Sequence, residues 1–171
     1  MDLNDRYLPV LREVDLLIAE ATSLRATGPR FVIAHRFFRS DACLPGEEVA
    51  FVALLHRSRE FVLKISTAEK LLFEALARNR HFPQSATQLE AYMRSDMFFL
   101  KHGANAVRAR LARRISRASI KVHVQRLRKA LELALAEAGL HFDAWRVLRT
   151  EHASGPLGYR LEGTFEWRHL I

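Results

Sequence analysis

The chain has 171 residues, 49% of them hydrophobic, and its 27 Lys and Arg against 19 Asp and Glu give a net charge of +8. That length and apolar share suit one compact, soluble domain with a real core, and the basic balance favours polyanionic partners such as nucleic acid or an anionic membrane surface. The single cysteine, Cys43, excludes an internal disulfide and a cysteine-rich zinc site, and the lack of a signal peptide or long apolar span predicts a cytoplasmic location.

In chain order, residues 1–28 read as a helix of about 20 residues by the 3.6-residue spacing of its apolar positions. Tyr7, Leu11, Val14, Ile18 and Ala21 form a stripe flanked by Val10, Leu17 and Leu24; Asn4 or Asp5 suits the cap and Gly28-Pro29 the stop. The stripe spans only three heptads, so packing on its own domain and contact with a second copy both remain open. The runs RFVIAHRFF, EEVAFVALL and EFVLKIS then predict a small antiparallel sheet, with SDACLPG and HRS as its connections.

Helical spacing returns at STAEKLLFEALARN, where Leu72, Phe73 and Leu76 share a face, Ser66 or Thr67 is placed as a cap, and Glu69 falls in the first turn. A short helix follows in SATQLEAYMR. The longest helix is predicted over about 117–138, with Ile120, Val124, Leu127, Leu131 and Leu135 inward, Ser116 before it and Gly139 after it. WRVLRT and GYRLE read as two strands around the turn-rich EHASGPL, a hairpin over about 146–162.

Charge is concentrated along one part of the chain. Between Arg94 and Lys129 eleven cations stand against Asp96 alone, so this stretch carries +10 and the remainder −2. Basic character confined to one region marks a binding surface more than a generally alkaline protein. On the long helix, Arg117, Lys121, Gln125 and Arg128 fall at one border of the apolar stripe, with Ser119, His123 and Arg126 nearby. A DNA major groove about 12 Å wide admits such a helix, letting Arg and Gln read base edges while Lys and Ser hold phosphates. Three helices followed by a hairpin suggest a winged helix-turn-helix, an α+β fold.

IKVHVQRLRKAL, followed by VLRT and GYRLE, resembles the effector domain of the OmpR/PhoB winged-helix regulators, whose usual pattern runs Val-x-Val-His-Ile-x-x-Leu-Arg-Lys and closes with Arg-Thr, a wing and Gly-Tyr-Arg-Leu. STAEKLLFEAL and SATQLEAYM resemble the first two helices, and the likeness covers about residues 47–162. The resemblance implies a three-helix core with an N-terminal antiparallel sheet and a C-terminal β-hairpin wing, here preceded by the N-terminal helix. It implies phosphate contact by Ser119, base contact by Val122 and Arg126, base or phosphate contact by Gln125, and backbone contact by Thr150 and Tyr159. Each also has a plain structural role open to it: half-buried packing for Val122, core for Tyr159, an ordinary strand position for Thr150, and the helix–core boundary for His123.

The chain departs from the family pattern in three places. SDMFFLKHGANAVRARLARRISR is longer than the usual loop between the second and third helices, and its NAVRARLARRI is suited to an extra basic helix. The wing lacks the arginine that relatives often send into the minor groove. The upstream segment is too short for a phosphorylatable receiver, so control by aspartyl phosphate is not expected, and the N-terminal helix is a candidate dimer element.

The expected organisation is an N-terminal helix at 1–28 and a DNA-binding domain at 29–171. The expected activity is that of a transcription regulator binding double-stranded DNA as a homodimer, with RNA polymerase as a further partner and no membrane. The expected contacts are Arg113, Arg114, Arg117, Ser119, Lys121, Val122, Gln125, Arg126, Arg128, Thr150 and Tyr159. A winged-helix module meeting RNA polymerase or another acidic protein, and a non-specific nucleoid-type binder, are the alternatives. Enzymatic motifs, metal-ligand spacing and an aromatic platform for RNA are absent from the sequence, so no catalytic residue, metal or cofactor is expected.

Overall fold

The chain forms two β-sheets joined by helices in an α+β arrangement; the computed structural model describes Val14, Leu16, Ile18 and residues 28–40, 43–95, 115–152 and 156–171. The first sheet contains β1 (Arg30–Ser40), β2 (Cys43–His56) and β3 (Arg59–Val62), followed by α1 (Thr67–Arg78). β4 (Gln84–Ser85) leads into α2 (Ala86–Met93); then come α3 (Arg117–Glu137), α4 (Ala144–Val147), β5 (Leu148–His152), β6 (Leu157–Leu161) and β7 (Thr164–Leu170). The strand orders are β3-β2-β1-β7 and β4-β6-β5.

β1 and β2 run well past the expected turn. Leu44, Pro45 and Gly46 belong to β2 instead of the connection, and Pro45 fits because β3 pairs only with Ala53–His56, so this end of β2 has ladder bonds on one side alone. The β2–β3 turn puts Arg57 at φ 48° and Ser58 at φ 61°. A two-residue hairpin turn with both centres left-handed matches the twist of the strands, although glycine or asparagine adopts it more readily.

β1 alternates Phe31, Ile33 and His35 toward α1 with Val32 and Ala34 on the other face, and all five are buried. The sheet is mixed, because β7 pairs in parallel with β1 from Arg30↔Thr164 to Arg36↔Leu170. The three strands expected from the sequence pair antiparallel, β1 with β2 and β2 with β3, and β7 is the unexpected addition. TFEWRHL alternates apolar and polar residues as an edge strand does, but its partner lies more than 120 residues upstream, beyond reach of local turn signals.

α1 starts at Ser66, one of its two expected caps, and α2 and α3 also start on serines. Ser66, Ser85 and Ser116 each cap a helix by a reciprocal box with Glu69, Gln88 and Ser119 respectively. α1 buries Leu72, Phe73 and Leu76, α2 buries Leu89 and Met93, and α3 buries Ile120, Val124, Leu127, Leu131 and Leu135, all in one core with Leu148 and Leu161. Each large side chain buried in this way contributes roughly 1.5–3 kcal/mol. Trp145, Arg146 and Val147, expected in a strand, instead form the helical turn α4, because the Asp143 carboxylate accepts from the Trp145 N–H at 2.9 Å and starts the turn. Of the N-terminal helix, the stripe residues Val14 and Ile18 and the off-stripe Leu16 are helical and exposed; the other stripe residues fall outside the described residues.

The chain leaves the second sheet for the first through Gly163, at φ 140°. A Cβ there would stand 2.4 Å from the Pro29 carbonyl oxygen, the same oxygen that accepts from the Thr164 N–H at 3.0 Å. Gly163→Ala should therefore cost about 2 kcal/mol or more, through both backbone strain and displacement of β7. Urea unfolding checks this, and a loss below about 0.5 kcal/mol would contradict the account.

Candidate nucleic-acid interface

α3 has one face in the core and one in solvent. Arg117, Lys121, Val122, Gln125, Arg126 and Lys129 are all exposed, and their three- and four-residue spacing puts them on adjoining strips of one surface. Val122 is 46% exposed and lies among the cations, so its outer half is open to a partner while its inner half packs on the helix. The exposed half toward the C-terminus is different: it carries Glu132, Leu133, Ala136 and Glu137. Positive charge is thus confined to the first three turns of the helix.

Lys129 was not singled out by the sequence reading, yet it continues the line of Val122 and Arg126 at helical spacing. The wheel contains that signal. The reading placed Arg128 on the border instead, and the structure corrects it. Arg128 is 7% exposed; its Nε donates to the Leu148 carbonyl at 2.9 Å and its Nη2 to Thr150 Oγ1 at 2.5 Å. The guanidinium also lies 3.8 Å from the centre of the Trp145 ring. Burial pulls the Arg128 pKa down and nearby Tyr159 opposes that shift, but an arginine retains its charge over any ordinary pH. Arg128 therefore fastens α3 to the start of the hairpin and is not presented to a ligand.

Other expected contacts also carry structural work. Ser119 is half-buried, and its Oγ donates to the Ser116 carbonyl at 2.9 Å while accepting from the Ser116 N–H at 2.9 Å. The Thr150 hydroxyl accepts from Arg128, leaving its own O–H as a donor. Tyr159 is 7% exposed and belongs to the core. Arg113 and Arg114, with the rest of residues 96–114, lie outside the described residues.

A buried carboxylate reaches this surface from beneath. Glu69 on α1 is 4% exposed; its Oε2 accepts from the Ser66 N–H at 2.7 Å, and its Oε1 lies 3.3 Å from His123 Nδ1 and 3.7 Å from Arg126 Nη1. Burial pushes the Glu69 pKa up, but hydrogen bonds from Ser66 and the neighbouring His123 outweigh it and hold the carboxyl below its ordinary value. Sequence reasoning placed Glu69 only as a helix-start residue. Its second role depends on the crossing of α1 and α3, which no local pattern encodes.

The hairpin contributes little net charge through its described strands. Arg149 pairs with Glu151 at 3.1 Å and Glu162 at 3.4 Å, and Arg160 pairs with the same two carboxylates. Residues 153–155 at its tip lie outside the described residues.

Among the described residues, no cluster of three or more His, Cys, Asp or Glu is placed to hold a metal ion, and no helix is long and apolar enough to cross a membrane. Comparison with protein-family models, with curated proteins and with solved structures finds no match.

The two arginines of QRLR should separate in experiment. Arg128→Ala leaves the Leu148 carbonyl and Thr150 hydroxyl without their donor and should destabilise the fold by about 2–4 kcal/mol, whereas Arg126→Ala should change stability by less than about 1 kcal/mol. Thermal and urea unfolding of both variants provide the comparison; equal losses would contradict the assignment of Arg128 as the clamp.

Proposed function

We propose that the protein binds double-stranded DNA with the first three turns of α3 in the major groove, and acts as a sequence-specific transcription regulator of the winged helix-turn-helix kind. The observation that carries this is the exposed strip Arg117, Lys121, Val122, Gln125, Arg126 and Lys129 on a helix whose opposite face is locked into the core. Its composition suits the groove. Lys121 and Arg117 supply charge for phosphates, Arg126 and Gln125 supply the donors and acceptors that distinguish base edges, and Val122 offers apolar contact to a thymine methyl.

The surrounding architecture supports the same reading. Among the described residues α1, α2, α3 and the single turn α4 precede a hairpin, and Arg128 ties that hairpin to α3. The near balance of charge on the described hairpin strands leaves α3 as the more basic of these two elements. A dimer formed through the N-terminal helix belongs to the proposal, since the stripe residues Val14 and Ile18 are exposed; two copies would then meet half-sites about one DNA turn apart.

Selection from a random pool of duplex DNA, with sequencing of the retained fraction at two salt concentrations, tests the proposal. Enrichment of a defined site is expected. Lys121→Ala should weaken binding to every sequence and lower the salt slope by about one, whereas Arg126→Ala should cost about 1–3 kcal/mol on the preferred site and relax one base position. Retention without enrichment would replace the reading with a non-specific binder, and no retention would favour an acidic protein partner.

A further inference from the structure

Arg126 is exposed on α3, yet it is not free of the fold. Its side chain is 64% exposed and that of Glu69 only 6%, with 3.7 Å between Nη1 and Oε1. The carboxylate cannot follow the arginine outward, because the same group accepts from the Ser66 N–H and contacts His123. A buried negative charge thus sits behind an exposed positive one. We propose that Glu69 makes Arg126 a reader of base edges instead of a phosphate clamp, a role that rests on the DNA-binding reading above.

The physical reason is a difference between the two acceptors on DNA. A phosphate carries a full negative charge and takes an arginine in almost any orientation, so a carboxylate a few ångströms behind the guanidinium repels it and offsets the charge that attracts it. The O6 and N7 edge of guanine carries no net charge. It depends on the planar fork of donors, which remains available on the guanidinium edge away from Glu69. Glu69 therefore penalises the non-specific contact more than the specific one, and discrimination rises at some expense of total affinity. Because the Glu69 carboxyl is held below its ordinary pKa, the charge is present throughout the neutral range.

Glu69→Gln removes the charge and keeps the cap. The chain itself shows that glutamine serves: Gln88 closes the same reciprocal box on Ser85, accepting from the Ser85 N–H at 2.8 Å. The experiment measures binding to the site enriched from a random duplex pool and to a scrambled duplex, at two salt concentrations, for the wild type, Glu69→Gln, Glu132→Gln and each acid variant combined with Arg126→Ala. Circular dichroism melts verify folding. Glu132 is an exposed acid on the far half of α3 and serves as the control for a general change in net charge.

With Glu69→Gln, affinity for scrambled DNA should rise about two- to five-fold, and the ratio of specific to scrambled affinity should fall by a similar factor, the scale of a partly exposed ion pair. The salt slope on scrambled DNA should steepen by about one phosphate contact. Glu132→Gln should leave the ratio unchanged, and in the Arg126→Ala background Glu69→Gln should no longer move it. An equal rise on both duplexes, or an undiminished effect without Arg126, would overturn the role of Glu69 while leaving DNA recognition intact. A wild type that enriches no sequence would overturn both.

Discussion

The exposed face of α3 depends on how firmly its hidden face is held, and Arg128 is the central fastening. It lies one helical turn beyond Val124 on the buried side, and its guanidinium bridges the Leu148 carbonyl and the Thr150 hydroxyl while stacking on Trp145. A cation at this position is costly to bury, so its desolvation is tolerated only because its donors are met and its plane is covered. The consequence is geometric. Helix and hairpin share one orientation, and the strip from Arg117 to Lys129 points outward as a unit.

α1 performs the corresponding task on the other side of the core. Lys70 donates to the Ala50 carbonyl at 2.8 Å, at the β-bulge where β2 slips by one residue against β1. One turn on, Glu74 meets His35 of β1 at 3.1 Å and its own Arg78 at 2.7 Å. One residue before Lys70, Glu69 contacts α3. Three polar residues within two turns of one helix therefore set the sheet and α3 relative to each other. Buried contacts of this kind add less to net stability than to uniqueness of arrangement, because a shifted packing would strand their charges.

Local patterns revealed most of the helical core. Serine caps, the three- and four-residue apolar spacing and the stop at Gly139 carry their physics within a few residues, and α1, α2 and α3 lie where those signals put them. Features set by distant partners were not legible. β7 pairs with β1 across most of the chain, β4 is two residues long, and α4 interrupts a run whose Val and Leu resemble a strand. The same division holds at the site. Arg117, Lys121, Gln125 and Arg126 were visible from the helical wheel, whereas the inward turn of Arg128 and the approach of Glu69 depend on tertiary packing.

The most direct test of the central claim is a residue-by-residue map of backbone amide chemical-shift changes as duplex DNA is added to the full chain. The account predicts that the largest changes fall in α3 between Arg117 and Lys129, with smaller ones at the start of α1 beside Glu69 and little at β2 and β3. Changes concentrated on the N-terminal sheet, with α3 unmoved while DNA is bound, would contradict it.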